Sequence, residues 1–188
     1  MINESVLFEV KNQVAIITMN EPKSMNALSG GILSGLKEAV QKIKFDTDIR
    51  AVILTGSGRA FCAGGDITSF PGISGAAYGR RAMQQTAAFV KDLSQLEKPV
   101  IAAVNGHAIG AGFSLAITCD FVISSENAKF ALGFTKIGVV PDLGALYHLP
   151  RLVGMARAKE MSYSARTLSA EEAKEYGICL EIVPADQL

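Results

Sequence analysis

The chain has 188 residues, 49% of them hydrophobic, and its 18 lysines and arginines balance 18 aspartates and glutamates. That length suits one domain able to bury a sizeable core, and that apolar content excludes a disordered chain. A formal charge of zero argues against nucleic acid or an anionic membrane as the main partner.

In chain order, residues 6–10 and 14–19 are β-rich runs separated by the polar Lys11-Asn12-Gln13, the pattern of a hairpin. Asn20-Glu21-Pro22-Lys23 breaks the strand, and Ile32, Leu36, Val40 and Ile43 then recur at helical spacing. Residues 51–55 form a buried strand ended by Gly56-Ser57-Gly58. A second amphipathic helix carries Met83, Ala87, Val90 and Leu93, and Pro99 opens an apolar strand over 100–104. A helix over 113–118 and a buried strand over 121–123 follow. Near the end, Ser169-Ala170-Glu171-Glu172 spells a capping box, Gly177 a helix stop, and residues 178–183 a last strand before Pro184. Strands alternating with helices, the inner ones apolar on both faces, point to an α/β domain with largely parallel pairing. No internal repeat or linker divides it.

Cys62, Cys119 and Cys179 are too few and too scattered for a disulfide framework, and with no CxxC pair and two histidines no metal site is expected. The first residues, MINES, lack the basic and apolar regions of a secretory signal. No apolar run reaches the roughly 18 residues that a membrane span needs. The cytoplasm is the expected compartment.

Two stretches carry the chemistry. Arg59-Ala60-Phe61-Cys62-Ala63-Gly64-Gly65-Asp66-Ile67 follows the strand ending at Thr55, and Asn105-Gly106-His107-Ala108-Ile109-Gly110-Ala111-Gly112 follows the strand ending at Val104. Both put small residues past a strand's carboxyl end, where open α/β sheets bind ligands. Small residues let a ligand approach the backbone, and unpaired N–H groups there can grip an anion. The plainer reading of either stretch is a turn. Neither has the Gly-x-Gly-x-x-Gly spacing of a dinucleotide loop, nor the Gly-Lys-Ser/Thr of a P-loop.

Taken together, these segments resemble the crotonase (enoyl-CoA hydratase/isomerase) family. Residues 61–67 are similar to its first oxyanion segment and residues 103–112 to its second. Asn20-Glu21-Pro22-Lys23-Ser24-Met25-Asn26-Ala27-Leu28 resembles the loop that borders the CoA nucleotide. Cys119-Asp120-Phe121, Ala128-Lys129-Phe130 and Leu149-Pro150-Arg151-Leu152-Val153-Gly154 match further landmarks, in the right order along the whole chain. The resemblance implies one acyl-CoA-binding domain over residues 1–188, folded as a superhelix of repeated ββα units. It implies oxyanion N–H donors at Gly65 and Ala111. It also implies contacts to the CoA ester from Lys23, Met25, Ala27, Ala63, Gly64, Gly65, Asp66, Ile67 and Gly110. No separate cofactor is implied, because coenzyme A arrives as part of the substrate. The partners it implies are a small-molecule acyl-CoA and further copies of the chain, as a homotrimer or dimer of trimers. Family members continue into C-terminal helices that cover the acyl site, and the sequence stops at Leu188 before them.

The family's two hydratase glutamates fall on Ser114 and Phe134, which cannot activate water, so ordinary syn-hydration is disfavoured. Ile137-Gly138-Val139-Val140-Pro141-Asp142 resembles the segment where isomerase branches carry a catalytic carboxylate. Asp142 is thereby the candidate base for converting 3-enoyl-CoA to 2-enoyl-CoA, with Phe134, Val139 and Val140 expected to raise its pKa. The alternative is that Asp142 caps a helix starting near Gly144. Two other functions stay open: a hydrolase or dehalogenase using Asp142 as nucleophile, and an acyl-CoA-binding protein without turnover. Asp66 is expected to order its loop, His107 to be structural or line the site, and His148 to be packed or exposed in a helix. Cys62 reads as a small core residue. Arg80, Arg81 and Lys129 are candidate phosphate partners or solvated charges.

Overall fold

In a computed structural model describing residues 2–68 and 75–188, β1 (Val6–Lys11) and β2 (Val14–Met19) pair antiparallel, from Val6 opposite Met19 to Lys11 opposite Val14. Asn12 and Gln13 alone make the turn, at φ 50° and 67°. Positive φ at both central residues gives a two-residue turn whose twist matches the strands. Lys11 therefore belongs to the strand rather than to a three-residue turn.

After the hairpin the chain repeats one manoeuvre. A strand enters a first sheet, a short strand enters a second sheet, and a helix returns. β3 (Ala51–Gly56) leads to β4 (Ala60–Cys62) and then α2 (Ala76–Ser94); α1 (Gly30–Phe45) has already carried the chain from the hairpin to β3. β5 (Val100–Val104) leads to β6 (His107–Ile109) and α3 (Ala111–Thr118), and β7 (Phe121–Ser125) leads to β8 (Lys129–Ala131). With β9 (Leu168–Ser169) and β10 (Glu181–Val183) added, the six-stranded sheet has the order β1-β2-β3-β5-β7-β10 and the four-stranded sheet β4-β6-β8-β9. All pairings of the larger sheet beyond the hairpin are parallel. Parallel neighbours need crossovers, which the helices supply. The α/β class and the repeated ββα unit expected from the sequence are both present.

The short strands account for the main differences from expectation. β4 and β6 lie in stretches read as loops, because three residues are too few to display a period. The last strand is also shorter than 178–183. The amides of Ile178 and Cys179 both donate to the Ala173 carbonyl, so these residues finish the turn after α6 (Ala170–Glu175), with Gly177 at φ 76°. Their burial comes from packing against the core, which their apolar character alone could not distinguish from a strand.

α1 buries Ile32, Leu36, Val40 and Ile43 along one stripe, and Ser29 caps it by accepting from the Ile32 amide. α3 is buried at every residue, so it carries no polar face. The capping box at Ser169 and Glu172 is formed in both directions. α4 (Ala145–Val153) and α5 (Met155–Ser164) close the fold beside α3. Among the described residues no helix is long and apolar enough to cross a membrane.

Candidate active site

Close backbone approach builds the floor of the site. A Cβ added to Gly112 would lie 2.1 Å from the Cys62 carbonyl oxygen, and one on Gly106 would lie 2.1 Å from that of Arg59. No side chain fits there, so the start of α3 and the turn into β6 pack directly on β4. As a result Gly64 (φ 108°) meets the 109–111 segment: its own added Cβ would sit 2.9 Å from the Ile109 oxygen and 3.6 Å from the Ala111 nitrogen. Gly110, at φ 55° and ψ −123°, occupies a conformation suited to glycine and turns the chain from β6 into α3.

The two sequence-predicted amides thus stand in adjoining segments. Among the described residues, neither the Gly65 N–H nor the Ala111 N–H has a hydrogen-bond acceptor. Ala111 is the first residue of α3, where an amide has no intrahelical partner and the helix dipole adds positive potential. Gly65 faces open space on its Cβ side. Such a pair can accept a developing oxyanion.

The 20–28 loop is fastened to the same floor. The Leu28 amide donates to the Gly64 carbonyl at 2.8 Å and the Ala63 amide to the Met25 carbonyl at 3.0 Å. The loop carrying Met25 and Ala27 is thereby tied to Ala63 and Gly64, and through Gly64 adjoins the Ile109–Ala111 segment that contains Gly110. Lys23 is exposed beside it on a 3-10 turn, Pro22–Ser24. Ile67 is exposed, and Asp66 Oδ1 accepts from the Thr68 amide and hydroxyl at 3.0 and 2.6 Å, which gives Asp66 a loop-ordering role.

Sequence reasoning missed the residue that holds this loop. Asn26 is fully buried at φ 56°; its Oδ1 accepts from the Glu21 amide, and its Nδ2 donates to the Ser57 and Ala60 carbonyls at 2.9 and 2.7 Å. Asn tolerates left-handed backbone and supplies both donor and acceptor, the available signal at a chain reversal.

The Asp142 segment joins the site through α3. Ala111, Ser114 and Thr118 share one face of that helix. Thr118 Oγ1 lies 2.9 Å from the Ser114 carbonyl and 3.1 Å from the Leu143 carbonyl. Leu143 is buried at φ 48°, an uncommon conformation for a bulky residue, and Gly144 follows at φ 82°. Asp142 does not cap α4: Gly144 is the N-cap and no side-chain cap bond is made. Instead Asp142 Oδ1 is buried without a hydrogen-bond partner among the described residues. Burial raises its pKa, opposed by its own backbone amide. The carboxyl lines a 670 Å³ cavity between α2 and α4, with Met83, Ala87, Val90, Leu143 and His148. Gly65 and Ala111 do not line this cavity; α3, which starts at Ala111 and holds the Leu143 carbonyl through Thr118, links the backbone floor to the Asp142 segment.

The hydratase positions are filled otherwise. Ser114 is fully buried and donates its hydroxyl to the Gly110 carbonyl at 3.2 Å; Phe134 is buried. Cys62 and Cys119 are buried and their thiols are pushed up to about 12, so neither is a nucleophile near neutral pH. His107 is exposed in β6, with the half-buried Lys129 beside it in β8, away from the Asp142 cavity lining. Arg80 and Arg81 are exposed on α2.

A family profile described as enoyl-CoA hydratase/isomerase matches residues 9–188. The chain belongs to the enoyl-CoA hydratase/isomerase, or crotonase, family. It is similar to a Bacillus subtilis enoyl-CoA hydratase/isomerase homologue, 42% identical over 93% of this chain and 68% of that one. The Escherichia coli 1,2-epoxyphenylacetyl-CoA isomerase is 37% identical over 98% of this chain and 72% of that one. A solved Bacillus anthracis enoyl-CoA hydratase superposes with a TM-score of 0.92 at 38% identity, over 97% of this chain and 71% of that one. The chain spans about two thirds of the length of the curated relatives it matches, 64% to 72%.

Proposed function

We propose that the chain binds acyl-CoA thioesters, stabilises their enolates and moves a double bond from the 3,4 to the 2,3 position. The observation that carries this reading is the half-buried Asp142 at the wall of the cavity between α2 and α4, its Oδ1 shielded and without a hydrogen-bond partner among the described residues. The amides of Gly65 and Ala111 would hold the thioester oxygen. The Asp142 carboxylate takes a proton from C2, the electron pair moves into the carbonyl, and the same carboxylic acid returns the proton at C4. No water is consumed, so one carboxylate suffices. Each oxyanion donor is worth roughly 3 kcal/mol in the transition state. Desolvation brings the base closer to the pH at which it works.

The CoA portion of the substrate would lie along Lys23, Met25, Ala27, Ala63, Gly64, Asp66, Ile67 and Gly110, and no separate cofactor takes part. The working unit in this reading is one domain over residues 1–188, cytoplasmic, in a homotrimer or dimer of trimers. Apolar side chains exposed on α4 and α5 support association.

Hydration is the competing reading, favoured by the hydratase name of the Bacillus anthracis structure. Against it stand Ser114, whose hydroxyl is already engaged, and Phe134, which moves no proton. The isomerase name of the Escherichia coli relative favours the double-bond shift, including on ring-derived acyl groups. Nucleophilic use of Asp142, as in a dehalogenase, calls for an aromatic-walled acyl pocket, and this chain carries no tryptophan to build one.

The test is NMR of 3-hexenoyl-CoA with purified protein in deuterated water. Deuterium uptake with double-bond migration, both abolished in Asp142→Asn while ester binding persists, is the expected result. Hydroxyl addition at C3 of 2-hexenoyl-CoA offered in parallel, with no migration in the 3-enoyl ester, would replace this reading with hydration. Binding of both esters without exchange or addition would replace it with a non-catalytic acyl-CoA-binding protein.

A further inference from the structure

The 670 Å³ cavity that holds Asp142 is far larger than the few carbons rearranged in a double-bond shift; pockets of about 300–1,000 Å³ hold drug-sized ligands. Its α2 wall offers Met83, Ala87 and Val90, and the polar liners Lys91, Ser94 and Gln95 are exposed to water at the helix's C-terminal end. His148 differs from them. Its ring is half-buried, and among the described residues neither of its nitrogens has a hydrogen-bond partner. The ring is also held in place. It packs edge-on against Tyr147 at 5.1 Å and 81°, and the Arg151 guanidinium lies 3.6 Å above the Tyr147 ring. On its other side, a Cβ added to Gly144 would come within 3.0 Å of His148 Cδ2 and 3.3 Å of Nε2. Only glycine at 144, two residues from Asp142, leaves the ring this much room.

A ring held at the cavity wall, with no protein partner among the described residues, is free to offer its nitrogens to a polar group of a ligand in the cavity. We infer that His148 is a specificity-determining residue that hydrogen-bonds an oxygen substituent on the acyl group, so that the preferred esters carry a hydroxyl, carbonyl or ether beyond the reacting carbons. This rests on the reading of the cavity as the acyl site. Burial and the nearby Arg151 hold the His148 pKa below its ordinary value, which keeps the ring neutral with one donor and one acceptor to offer. A plain alkyl ester would fill the same space and offer the ring no hydrogen-bond partner.

The experiment uses saturated, unreactive esters, so it does not depend on turnover. Calorimetry compares hexanoyl-CoA with 6-hydroxyhexanoyl-CoA on the wild-type chain, His148→Leu and His148→Gln, each checked for folding by its thermal melt. The wild type is expected to bind the hydroxylated ester about five- to tenfold more tightly, His148→Leu to lose that ratio, and His148→Gln to recover part of it. Equal binding of both esters by the wild type, or an unchanged ratio in His148→Leu, overturns the role of His148 and leaves enolate chemistry standing. Failure of the wild type to bind either ester overturns both.

Discussion

Burial leaves Asp142 Oδ1 without a hydrogen bond and lifts its pKa above the ordinary 3.8, and these facts make opposite contributions to stability and to chemistry. The folded state holds the proton more tightly than the unfolded chain does. Stability from this group is therefore fully present below pH 3.8 and is lost as pH rises through the higher folded-state pKa. Above that point the protein carries a desolvated charge, the form a base needs. Asp142→Asn should accordingly melt at a higher temperature than wild type at pH 7.5, and the difference should vanish near pH 3. Activity should rise with pH along a limb displaced upward from that of a free carboxylate. Equal melting temperatures at pH 7.5 would mean that the carboxylate is solvated after all. Sequence reasoning located Asp142 by resemblance, but its burial, its missing partner and its failure to cap α4 depend on where Leu143 and Thr118 hold it.

At the scale of elements, the site exists because short strands and a helix start meet without side chains between them. Gly112→Ala would drive a methyl group to 2.1 Å from the Cys62 carbonyl, a rigid backbone atom. Overpacking of this kind is typically unfavourable by about 1–3 kcal/mol. Chemical denaturation should show at least that loss, and deuterium exchange at C2 should fall steeply because α3 and Ala111 must move away from Gly65. Ser169→Ala is the contrasting case. It removes the capping box of α6, worth about 1 kcal/mol, at the edge strand β9, which β8 separates from β6 and the floor, so exchange activity per folded molecule should be unchanged. Comparable losses of exchange in both variants would refute this division of labour. β1, β2, β3, β5, α1 and α2 were legible because their periods are, whereas the ten-residue α5 was not read. β4, β6 and β8, three residues each, were not, because their pairing partners are distant in sequence.

For the molecule as a whole, a 370 Å³ groove between α4 and α5 is framed by exposed apolar residues: Val140 is 76% exposed, Leu146 63%, Met155 59% and Tyr163 74%. A contiguous apolar surface of this kind favours association. Sedimentation at micromolar concentration should find the chain larger than a monomer, and Leu146→Lys should shift it toward monomer without unfolding it. A wild-type chain that sediments as a monomer would remove the support that this face gives to a trimer.

The sequence by itself determined the α/β class, the family, the hairpin, the long strands, helices α1 and α2, and the positions of the glycine-rich stretches. Local periodicity and small-residue spacing are written along the chain, so these were readable there. Only the tertiary structure decided that Gly64 lies against Ile109–Ala111, that Asn26 locks the 20–28 loop, and that Asp142 is a half-buried carboxyl with a shielded Oδ1 rather than a cap. Each of these is a contact between residues far apart in sequence, or a loss of water, and both are set by packing rather than by the order of the residues.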